Sequence, residues 1–310
     1  MKIVVIIVAY QGDRWIPRCL DSIQPDHRHE IRLLLVNNYQ TPCLDSLPPP
    51  KVPHEIIKPP RVMGFAEANN FALVQGGCDG DVVVLLNQDT WSESNWIPVC
   101  ANTRRDHPEL NAVSPTVRQY DDDRLDPNFA TCLADENRQP GGDTVETIGN
   151  LPAVALMIRT STLKAVGPFD PIFGSYYEDY DLCRRIRTSG GMLAFVSNAW
   201  IRHFSGSASS TPEARRKRMI QIIRNRLIHS LRTQETPRWL GLSKYYFRDL
   251  PINILRGSKK TASSQPLSVT WAANWRLLRI LWRISSKRRD QAAWHRYLEQ
   301  LNWKQIRDLF

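Results

Sequence analysis

Three short polar segments carry side chains that could do chemistry, and each one follows an apolar run. The first, Asn87-Gln88-Asp89-Thr90, comes directly after the run Asp81–Leu86. A carboxylate fixed at the end of a strand can hold a divalent cation, because Mg²⁺ and Mn²⁺ prefer hard oxygen ligands. An Asp followed by Thr is also common in turns and caps, so this motif alone leaves both interpretations open.

The second segment places two neighbouring acids, Glu178 and Asp179, after Tyr176 and Tyr177. Closely spaced carboxylates repel each other, and a carboxylate beside aromatic rings loses water. Both effects raise its affinity for a proton, which suits a general base. The same acids would also stabilise the first turn of the helix predicted over 177–188, so capping is the alternative.

The third segment contains His203, at the end of a short apolar run and before a loop of small residues. A neutral imidazole at that point could complete a metal site or bind a phosphate. A lone histidine is more often structural, so its role depends on the other two segments.

Apolar, β-branched runs typical of buried strands alternate with segments that suit helices. The strands are predicted over 2–8, 31–36, 54–58 and 81–86, and the helices over 15–22 and 65–74. This alternation predicts βαβ units in a doubly wound, mainly parallel α/β sheet. Ligands bind beyond the carboxyl ends of such strands, so residues 9–13, 37–40 and 87–90 should line one crevice.

The pattern is less regular after residue 117. The polar stretch 118–143, which includes Asp121-Asp122-Asp123, predicts a long solvated loop rather than a metal site. A further buried strand is predicted over 151–158, and short edge elements are predicted over 193–196 and 200–203.

Length and charge divide the chain into two parts. Its 310 residues suffice for one large α/β domain with an appendage. Residues 211–310 carry 22 Lys and Arg against 6 Asp and Glu, whereas residues 1–210 are net acidic. The predicted organisation is a main domain over 1–210 and a basic, Trp-rich helical extension over 211–310.

The extension combines cations with apolar side chains. A basic helix is predicted from Pro212, a Gly/Ser/Lys/Pro-rich linker over 257–266, and an amphipathic helix over 271–287 with arginines on one narrow face. Three interpretations remain: packing on the main domain, docking on an anionic membrane surface, and binding of nucleic acid. We favour the membrane surface, because arginines bind lipid phosphates while indoles lie at the interface.

The cysteines and the apolar runs bear on the compartment. Six cysteines lie far apart without a C-x-x-C pair, and no signal peptide precedes them, so we expect reduced thiols in a cytoplasmic protein and no structural zinc. The apolar run Ile3–Val8 is much shorter than the ~20 residues that cross a bilayer. The sequence therefore predicts no membrane-spanning segment.

Seven motifs in order resemble the inverting glycosyltransferases of family 2, which have the GT-A fold, and in particular their rhamnosyltransferase-like branch. The resemblance covers about residues 1–230. The motifs are Val8-Ala9-Tyr10, Val36-Asn37-Asn38, Gly64-Phe65-Ala66 with Asn69-Asn70, Asn87-Gln88-Asp89-Thr90, Gly167-Pro168-Phe169-Asp170, Tyr177-Glu178-Asp179-Tyr180-Asp181-Leu182, and His203 with Ser205-Gly206-Ser207.

The resemblance implies a role for each predicted site residue. Asp179 matches the catalytic base, Glu178 helps to position the acceptor, and Asp89 with His203 matches a site for Mn²⁺ or Mg²⁺. The resemblance assigns the nucleotide-sugar half to about 1–117 and the acceptor half to about 144–210. The residues expected to bind the nucleotide-sugar are Ala9, Tyr10, Asn37, Gly64, Phe65, Asn69, Asn87, Gln88 and Asp89.

The implied reaction moves L-rhamnose from dTDP-L-rhamnose to a hydroxyl of a cell-envelope saccharide or lipid-linked acceptor. The implied place is the cytoplasmic face of the plasma membrane, with residues 211–310 on anionic lipid and with no nucleic acid as a partner. Asn37 stands where the family commonly has Asp, so a UDP-hexose donor is the alternative. A sugar-nucleotide pyrophosphorylase is disfavoured, since residues 9–14 lack its Gly-rich loop. A non-catalytic membrane or nucleic-acid binding module is the alternative of another class.

Overall fold

The computed structural model describes residues 1–39, 44, 49–136, 143–205, 211–233, 271–272 and 274–276. These residues belong to two compact units. One unit contains Met1–Gly174 and continues from Glu178 to residue 205. The other contains Ser175–Tyr177 and the described residues from 211 onward. All of the predicted site residues therefore belong to the first unit.

Four parallel strands form one half of the central sheet, in the order β3-β2-β1-β4. Their bounds are β1 Lys2–Ala9, β2 Glu30–Asn37, β3 His54–Ile57 and β4 Val82–Leu86. Strands β1, β2 and β4 are almost entirely buried because neighbouring elements cover both faces of the sheet. The predicted strands and the predicted α/β class are confirmed.

The other half of the sheet is mixed. It contains β5 Thr90–Trp91, β6 Leu110–Gln119, β7 Val145–Thr147, β8 Ala155–Arg159 and β9 Met192–His203. Strand β8 runs antiparallel to both β4 and β6, and β9 runs parallel to β6. The strand predicted over 151–158 begins only at Ala155, because Leu151–Val154 pack in the core without strand pairing.

The prediction of two short edge elements over 193–196 and 200–203 is wrong. These residues belong to one long strand, β9, which pairs with β6 on one side and with β5 and β7 on the other. Between these two stretches the register with β6 shifts, so that residues 197–199 have no paired residue on that strand, and the N–H of Ser197 donates to the carbonyl oxygen of Thr144 (2.9 Å). The strand therefore continues through a local irregularity instead of ending there.

Seven α-helices accompany the sheet in the described residues. They are α1 Ile16–Asp21, α2 Phe65–Ala72, α3 Trp96–Asp106, α4 Pro127–Ala134, α5 Thr160–Val166, α6 Glu178–Thr188 and α7 Pro212–Thr233. Helix α2 continues into a π-helical turn, Leu73–Gly77, which ends where Gly76 adopts a φ of 103°. That left-handed conformation favours glycine, so the helical segment ends at this position.

Helix α4 corrects the prediction of an irregular loop over 118–143. Asp126 caps the helix and Pro127 opens it, while Phe129, Cys132 and Leu133 bury its apolar side. Residues 137–142 of the predicted loop lie outside the described residues. The triplet Asp121-Asp122-Asp123 lies at the surface as expected, where two of its acids pair with arginines.

The second unit contains the long basic helix α7, which confirms the helix predicted from Pro212. The buried Asn225 donates hydrogen bonds to the carbonyl oxygens of Ser175 (2.8 Å) and Tyr176 (2.7 Å). The predicted linker 257–266 lies outside the described residues, as does most of the helix predicted over 271–287.

Two further expectations concern the thiols and the membrane. The described cysteines, Cys19, Cys78, Cys100, Cys132 and Cys183, are all free thiols. Of the helices that the structure describes, none is both long enough and apolar enough to cross a bilayer.

Candidate active site

The carboxyl ends of β1 and β2 present Tyr10 and Asn37 at the same edge of the sheet. Ala9 and Asn37 are opposite each other in the β1–β2 pair, and the carbonyl oxygen of Ala9 accepts a bond from the N–H of Asn38 (2.9 Å). The ring of Tyr10 is 40% exposed and meets the ring of Tyr39 edge-on, with centroids 5.2 Å apart. This edge therefore offers an exposed aromatic surface beside a buried amide, as a nucleoside needs.

Gln88 fixes the backbone of Tyr10. Its side chain accepts a bond from the N–H of Tyr10 (2.9 Å) and donates one to the Tyr10 carbonyl oxygen (2.7 Å). A side chain at Gly12 would collide with Gln88, since a Cβ there would lie 2.1 Å from its Oε1. Gln88 therefore links the ends of β1 and β4 within the predicted nucleotide site.

The start of α2 is held in place by hydrogen bonds. Asn38 bonds both the N–H and the carbonyl oxygen of Met63 (2.9 Å each), directly before Gly64. The N–H of Ala66 donates to the carbonyl oxygen of Gly174 (2.8 Å), and Phe65 lies on the partly buried margin of the core. Asn69 is buried, and its amide donates to the Phe65 carbonyl oxygen (2.9 Å) within the helix.

The turn after β4 brings Asn87, Asp89 and His203 together. Thr90 pairs with His203 across β5 and β9, and the N–H of Phe204 donates to the carbonyl oxygen of Asp89 (3.0 Å). As a result His203 Nε2 lies 3.5 Å from Asp89 Oδ1 and 3.4 Å from Asn87 Nδ2. Residues 116 positions apart therefore meet at this turn.

Asp126 is a residue of this site that sequence reasoning missed. It is fully buried, and its Oδ2 accepts a bond from His203 Nδ1 (2.9 Å) and another from Ser205 Oγ. Its Oδ1 accepts from the N–H groups of Asn128 (2.8 Å) and Phe129 (3.2 Å). The pair Asp126-Pro127 is a helix-start signal that would have placed α4, although nothing local indicates the contact with His203.

Electrostatics at this turn favour charge. Burial would raise the pKa of Asp126, but the hydrogen bonds and charge of His203 and the bond from Ser205 outweigh it and lower the pKa. Burial disfavours the charged form of His203 as well, yet hydrogen bonds with Asp126 and Asp89 raise its pKa to about 9. Because a carboxylate only accepts hydrogen bonds, Nδ1 carries a proton and Nε2 is directed to Asp89.

The residues at the turn fit a divalent cation with open coordination positions. Asp89 offers a carboxylate, His203 can offer Nε2 once that nitrogen has released its proton, and Asn87 Oδ1 is buried without a hydrogen-bond partner among the described residues. A metal-ligating histidine usually donates its other N–H to a carboxylate, as His203 does to Asp126. Within the described residues no group of three or more His, Cys, Asp or Glu forms a closed metal site.

Glu178 and Asp179 begin α6 and have fewer polar partners. Asp179 is partly buried, and its oxygens accept from the N–H groups of Ala153 (3.2 Å) and Tyr180 (2.9 Å). Burial raises the pKa of Asp179, and these backbone bonds oppose the rise. Glu178 is 5% exposed, its Oε2 has no hydrogen-bond partner among the described residues, and burial together with the charge of Asp179 holds its pKa well above the ordinary value. Both carboxyls therefore bind a proton more readily than an exposed carboxyl does.

Two hydrogen bonds connect the β4 turn and Asp179 to adjacent residues. The N–H of Asn87 donates to the carbonyl oxygen of Val154 (2.9 Å), and the N–H of the preceding residue, Ala153, donates to Asp179. The carboxylate of Asp179 and the turn that carries Asp89 are therefore fixed to adjacent residues of one segment.

This arrangement defines a class of protein. The mixed α/β fold around this central sheet matches the GT-A form seen in solved glycosyltransferases. A model described as "Glycosyltransferase like family 2" matches residues 2–225, so the chain belongs to this family of glycosyltransferases.

Solved structures with the same fold support the class. The mannosyltransferase PcManGT from Pyrobaculum calidifontis, solved with GDP-Man and Mn²⁺, is 16% identical, with a TM-score of 0.56 over 99% of this chain and 87% of that one. S. aureus TarS is 14% identical, with a TM-score of 0.54 over 94% of this chain. GalNAc-T7, solved with UDP, GalNAc and Mn²⁺, is 14% identical, with a TM-score of 0.53 over 77% of this chain.

The matches differ in extent. The chain covers 50% of the TarS chain and 52% of the GalNAc-T7 chain, which is about half of each. No curated protein matches the sequence.

Proposed function

We propose that the chain is a metal-dependent, inverting glycosyltransferase that moves a sugar from a nucleoside diphosphate to an acceptor hydroxyl. The observation that carries this proposal is the pair of bonds from Asn87 and Ala153. They fix the acidic turn and the half-buried carboxylate of Asp179 to one segment. A site for a diphosphate and a site for a base are thereby held in a fixed relation, as direct displacement needs.

The proposed base is Asp179. Its raised pKa favours uptake of a proton, while two backbone N–H groups hold its oxygens in one orientation. Glu178 is the proposed acceptor-positioning residue, as the family resemblance implies, and it lies at the start of the same helix directly before Asp179. General bases placed in this way contribute roughly 10²- to 10⁴-fold to a rate.

In the proposed reaction the acceptor oxygen bonds to the anomeric carbon as the bond from that carbon to the diphosphate breaks. The hydroxyl proton moves to Asp179, and the configuration inverts because attack and departure are on opposite faces. Asp89 and His203 would hold the cation, with Asn87 beside them. A bound Mn²⁺ or Mg²⁺ would stabilise the charge of the leaving diphosphate.

The proposed donor is dTDP-L-rhamnose, and a UDP-hexose is the alternative. The rhamnosyltransferase-like motifs support the first choice, while the UDP and GDP-Man in the two similar structures show that the fold accepts more than one nucleotide. Tyr10 and Asn37 are the proposed contacts of base and ribose. Gly64 and Phe65 line the same side, and Asn69 supports them through its bond to Phe65.

The proposed acceptor is a cell-envelope saccharide or a lipid-linked saccharide, reached at the inner face of the plasma membrane. The excess of basic residues over 211–310 supports contact with anionic lipid. We propose the division into a catalytic domain over 1–210 and this extension for the same reason.

Thermal unfolding with a panel of nucleoside diphosphates and their sugars, with and without Mn²⁺ or Mg²⁺, tests the proposal. A ligand at 100 times its Kd stabilises a folded protein by about 2.7 kcal/mol, which is measurable. Metal-dependent stabilisation by dTDP or UDP compounds supports a transferase and gives its donor class. A folded sample that responds to none of them, yet binds vesicles or polynucleotides, would favour the non-catalytic binding module.

A further inference from the structure

A cluster of stacked rings and guanidinium groups lies beside the proposed metal residues, within the first unit. We call it the arginine–aromatic patch, and its members are Arg14, Arg18, Trp15, Trp91, Tyr120 and Phe204. The rings of Trp15 and Phe204 stack with centroids 4.1 Å apart, and Tyr120 meets Trp15 edge-on at 5.1 Å. These contacts make the patch a defined surface rather than a set of separate side chains.

The two arginines of the patch are exposed and stack on its rings. The guanidinium carbon of Arg14 lies 4.4 Å from the ring centroid of Trp15, and that of Arg18 lies 3.4 Å from the ring centroid of Trp91. Stacking uses the flat face of a guanidinium and leaves its N–H edges for a ligand. The rings therefore orient two cationic forks at the surface.

Neither arginine has an acidic partner among the residues that the structure describes. The nearby Arg118 and Arg202 differ, because both bind Asp123 (3.2 and 2.7 Å). The two guanidinium groups stack on rings of one cluster and add two positive charges to this surface. Such a pair favours an anion with several oxygens, and phosphate groups match the fork geometry.

Backbone and side-chain contacts place the patch next to the acidic turn. Phe204 follows His203 and donates its N–H to the Asp89 carbonyl oxygen (3.0 Å). Trp91 follows Thr90, and the thiol of Cys19, on the same helix as Arg18, lies 3.6 Å from Thr90 Oγ1. An anion on the patch would therefore lie beside the site proposed for the donor.

We propose that Arg14 and Arg18 form a second phosphate site, which binds the diphosphate of a lipid-linked acceptor. This rests on the proposed function, which already assigns the donor diphosphate to the metal at Asp89. The anion site is discrete rather than a membrane-inserting surface, because Trp15 is 9% exposed and none of the patch rings is among the exposed large hydrophobic side chains of the described residues.

Calorimetric titration of the full chain in EDTA tests the site, with inorganic pyrophosphate and farnesyl diphosphate as probes. The chelator removes metal-dependent binding at Asp89. The double variant Arg14→Gln/Arg18→Gln should raise the Kd of both probes about tenfold or more, the loss expected for charged hydrogen bonds. The double variant Arg14→Lys/Arg18→Lys keeps the charge but lacks the planar fork of the guanidinium. Its Kd for each probe should lie between those of the wild type and the Gln variant.

The matched control is Arg28→Gln/Arg105→Gln, which removes the same charge at two exposed arginines elsewhere. It should leave both Kd values nearly unchanged. Equal affinities in the wild type, the Gln variant and the control would overturn the site. A Gln variant that binds anionic vesicles more weakly, yet binds pyrophosphate normally, would also overturn it, in favour of a membrane surface.

Kinetics decide which substrate the site serves. The Gln variant should raise KM for a lipid-linked acceptor about tenfold with kcat and the donor KM unchanged. A raised donor KM, or weaker nucleotide binding with Mn²⁺, would assign the arginines to the donor and overturn the proposal. If the wild type binds no nucleotide and transfers no sugar, the proposed function fails. In that case the phosphate site would still stand if pyrophosphate binding depended on Arg14 and Arg18. It would fail separately if pyrophosphate binding did not depend on them.

Discussion

The acids at the β4 turn and the acids at the start of α6 lie in opposite surroundings. At the turn, His203 lies between Asp89 and Asp126, and Asp126 accepts four hydrogen bonds. At α6, Asp179 accepts from two backbone N–H groups, and Glu178 has an oxygen without a partner. The pKa of Asp126 is lowered, whereas those of Glu178 and Asp179 are raised.

The difference shows how one fold gives the same chemical group two electrostatic environments. Both sites are desolvated, so burial raises the pKa of the carboxyl in each case. Where a histidine and N–H donors surround the group, the charged form is stabilised and suits a cation or an imidazolium. Where donors are few, the group binds protons more readily and suits a base.

The largest expected effect is at Asp179. Asp179→Asn keeps the shape but cannot accept the proton, so kcat should fall about 10³-fold. Nucleotide binding with Mn²⁺ should be retained, because the proposed metal and diphosphate site is at the β4 turn and not at Asp179. Sugar transfer and calorimetry on the same sample measure both. The control is Asp121→Asn, at the exposed triplet, which should keep wild-type turnover. Wild-type turnover in Asp179→Asn would show that Asp179 is not the base.

The next effect is at the acidic turn. Asp89→Ala removes the proposed carboxylate ligand, so the metal-dependent part of nucleotide binding should weaken about 100-fold. Mn²⁺ titration followed by electron paramagnetic resonance measures the free metal directly. If Asp89→Ala bound Mn²⁺ and nucleotide as the wild type does, the turn would be only a structural cap.

A smaller effect of the same kind is expected at Asp126. Asp126→Asn keeps the cap of α4, because Asn and Asp are equivalent there, but loses the anionic partner of His203. Mn²⁺ affinity should fall about tenfold, the lower end of the range for residues behind a metal ligand. Asp126→Ser, another good cap, should behave like Asp126→Asn. Unchanged Mn²⁺ binding in both variants would separate Asp126 from the metal.

The smallest effect concerns stability at the other site. The pKa of Glu178 is higher in the folded protein than in the unfolded chain. Its contribution to the free energy of unfolding is therefore most favourable below the pKa of the unfolded chain and is lost as pH rises through the pKa of the folded protein. Glu178→Gln removes that loss. The Tm of the variant should exceed that of the wild type by a few degrees at pH 8 and converge with it near pH 4. A constant difference across this range would show that Glu178 does not titrate as described.

Much of the first half of the fold could be predicted from the sequence. Strands β1, β2 and β4 are covered on both faces, so almost every residue in them is apolar. Their burial can therefore be predicted from the sequence of each strand alone. Helix α6 was predicted equally well, because its acids mark the first turn. In these elements the local sequence and the final environment agree.

The errors arose where distant residues decide the structure. Strand β9 is continuous across an irregularity at 197–199 because it pairs with β6 and β7 before that point and with β6 and β5 after it, and no local pattern shows those partners. Asp126 lies in a polar stretch, and its contact with His203 joins residues 77 positions apart. The motif resemblance indicated His203 itself, but not the carboxylate that orients it.

The bonds from Asn87 to Val154 and from Ala153 to Asp179 also set a rule for changes in chain length. Adding or removing one residue at this point would change the spacing of the two bonded groups by up to about 3.8 Å, the distance between consecutive Cα atoms. The hydrogen bonds from Asn87 to Val154 and from Ala153 to Asp179 could then no longer form at the same time. Insertions and deletions should therefore be absent from this segment in any active descendant, and proline, which lacks the N–H, should be excluded at position 153.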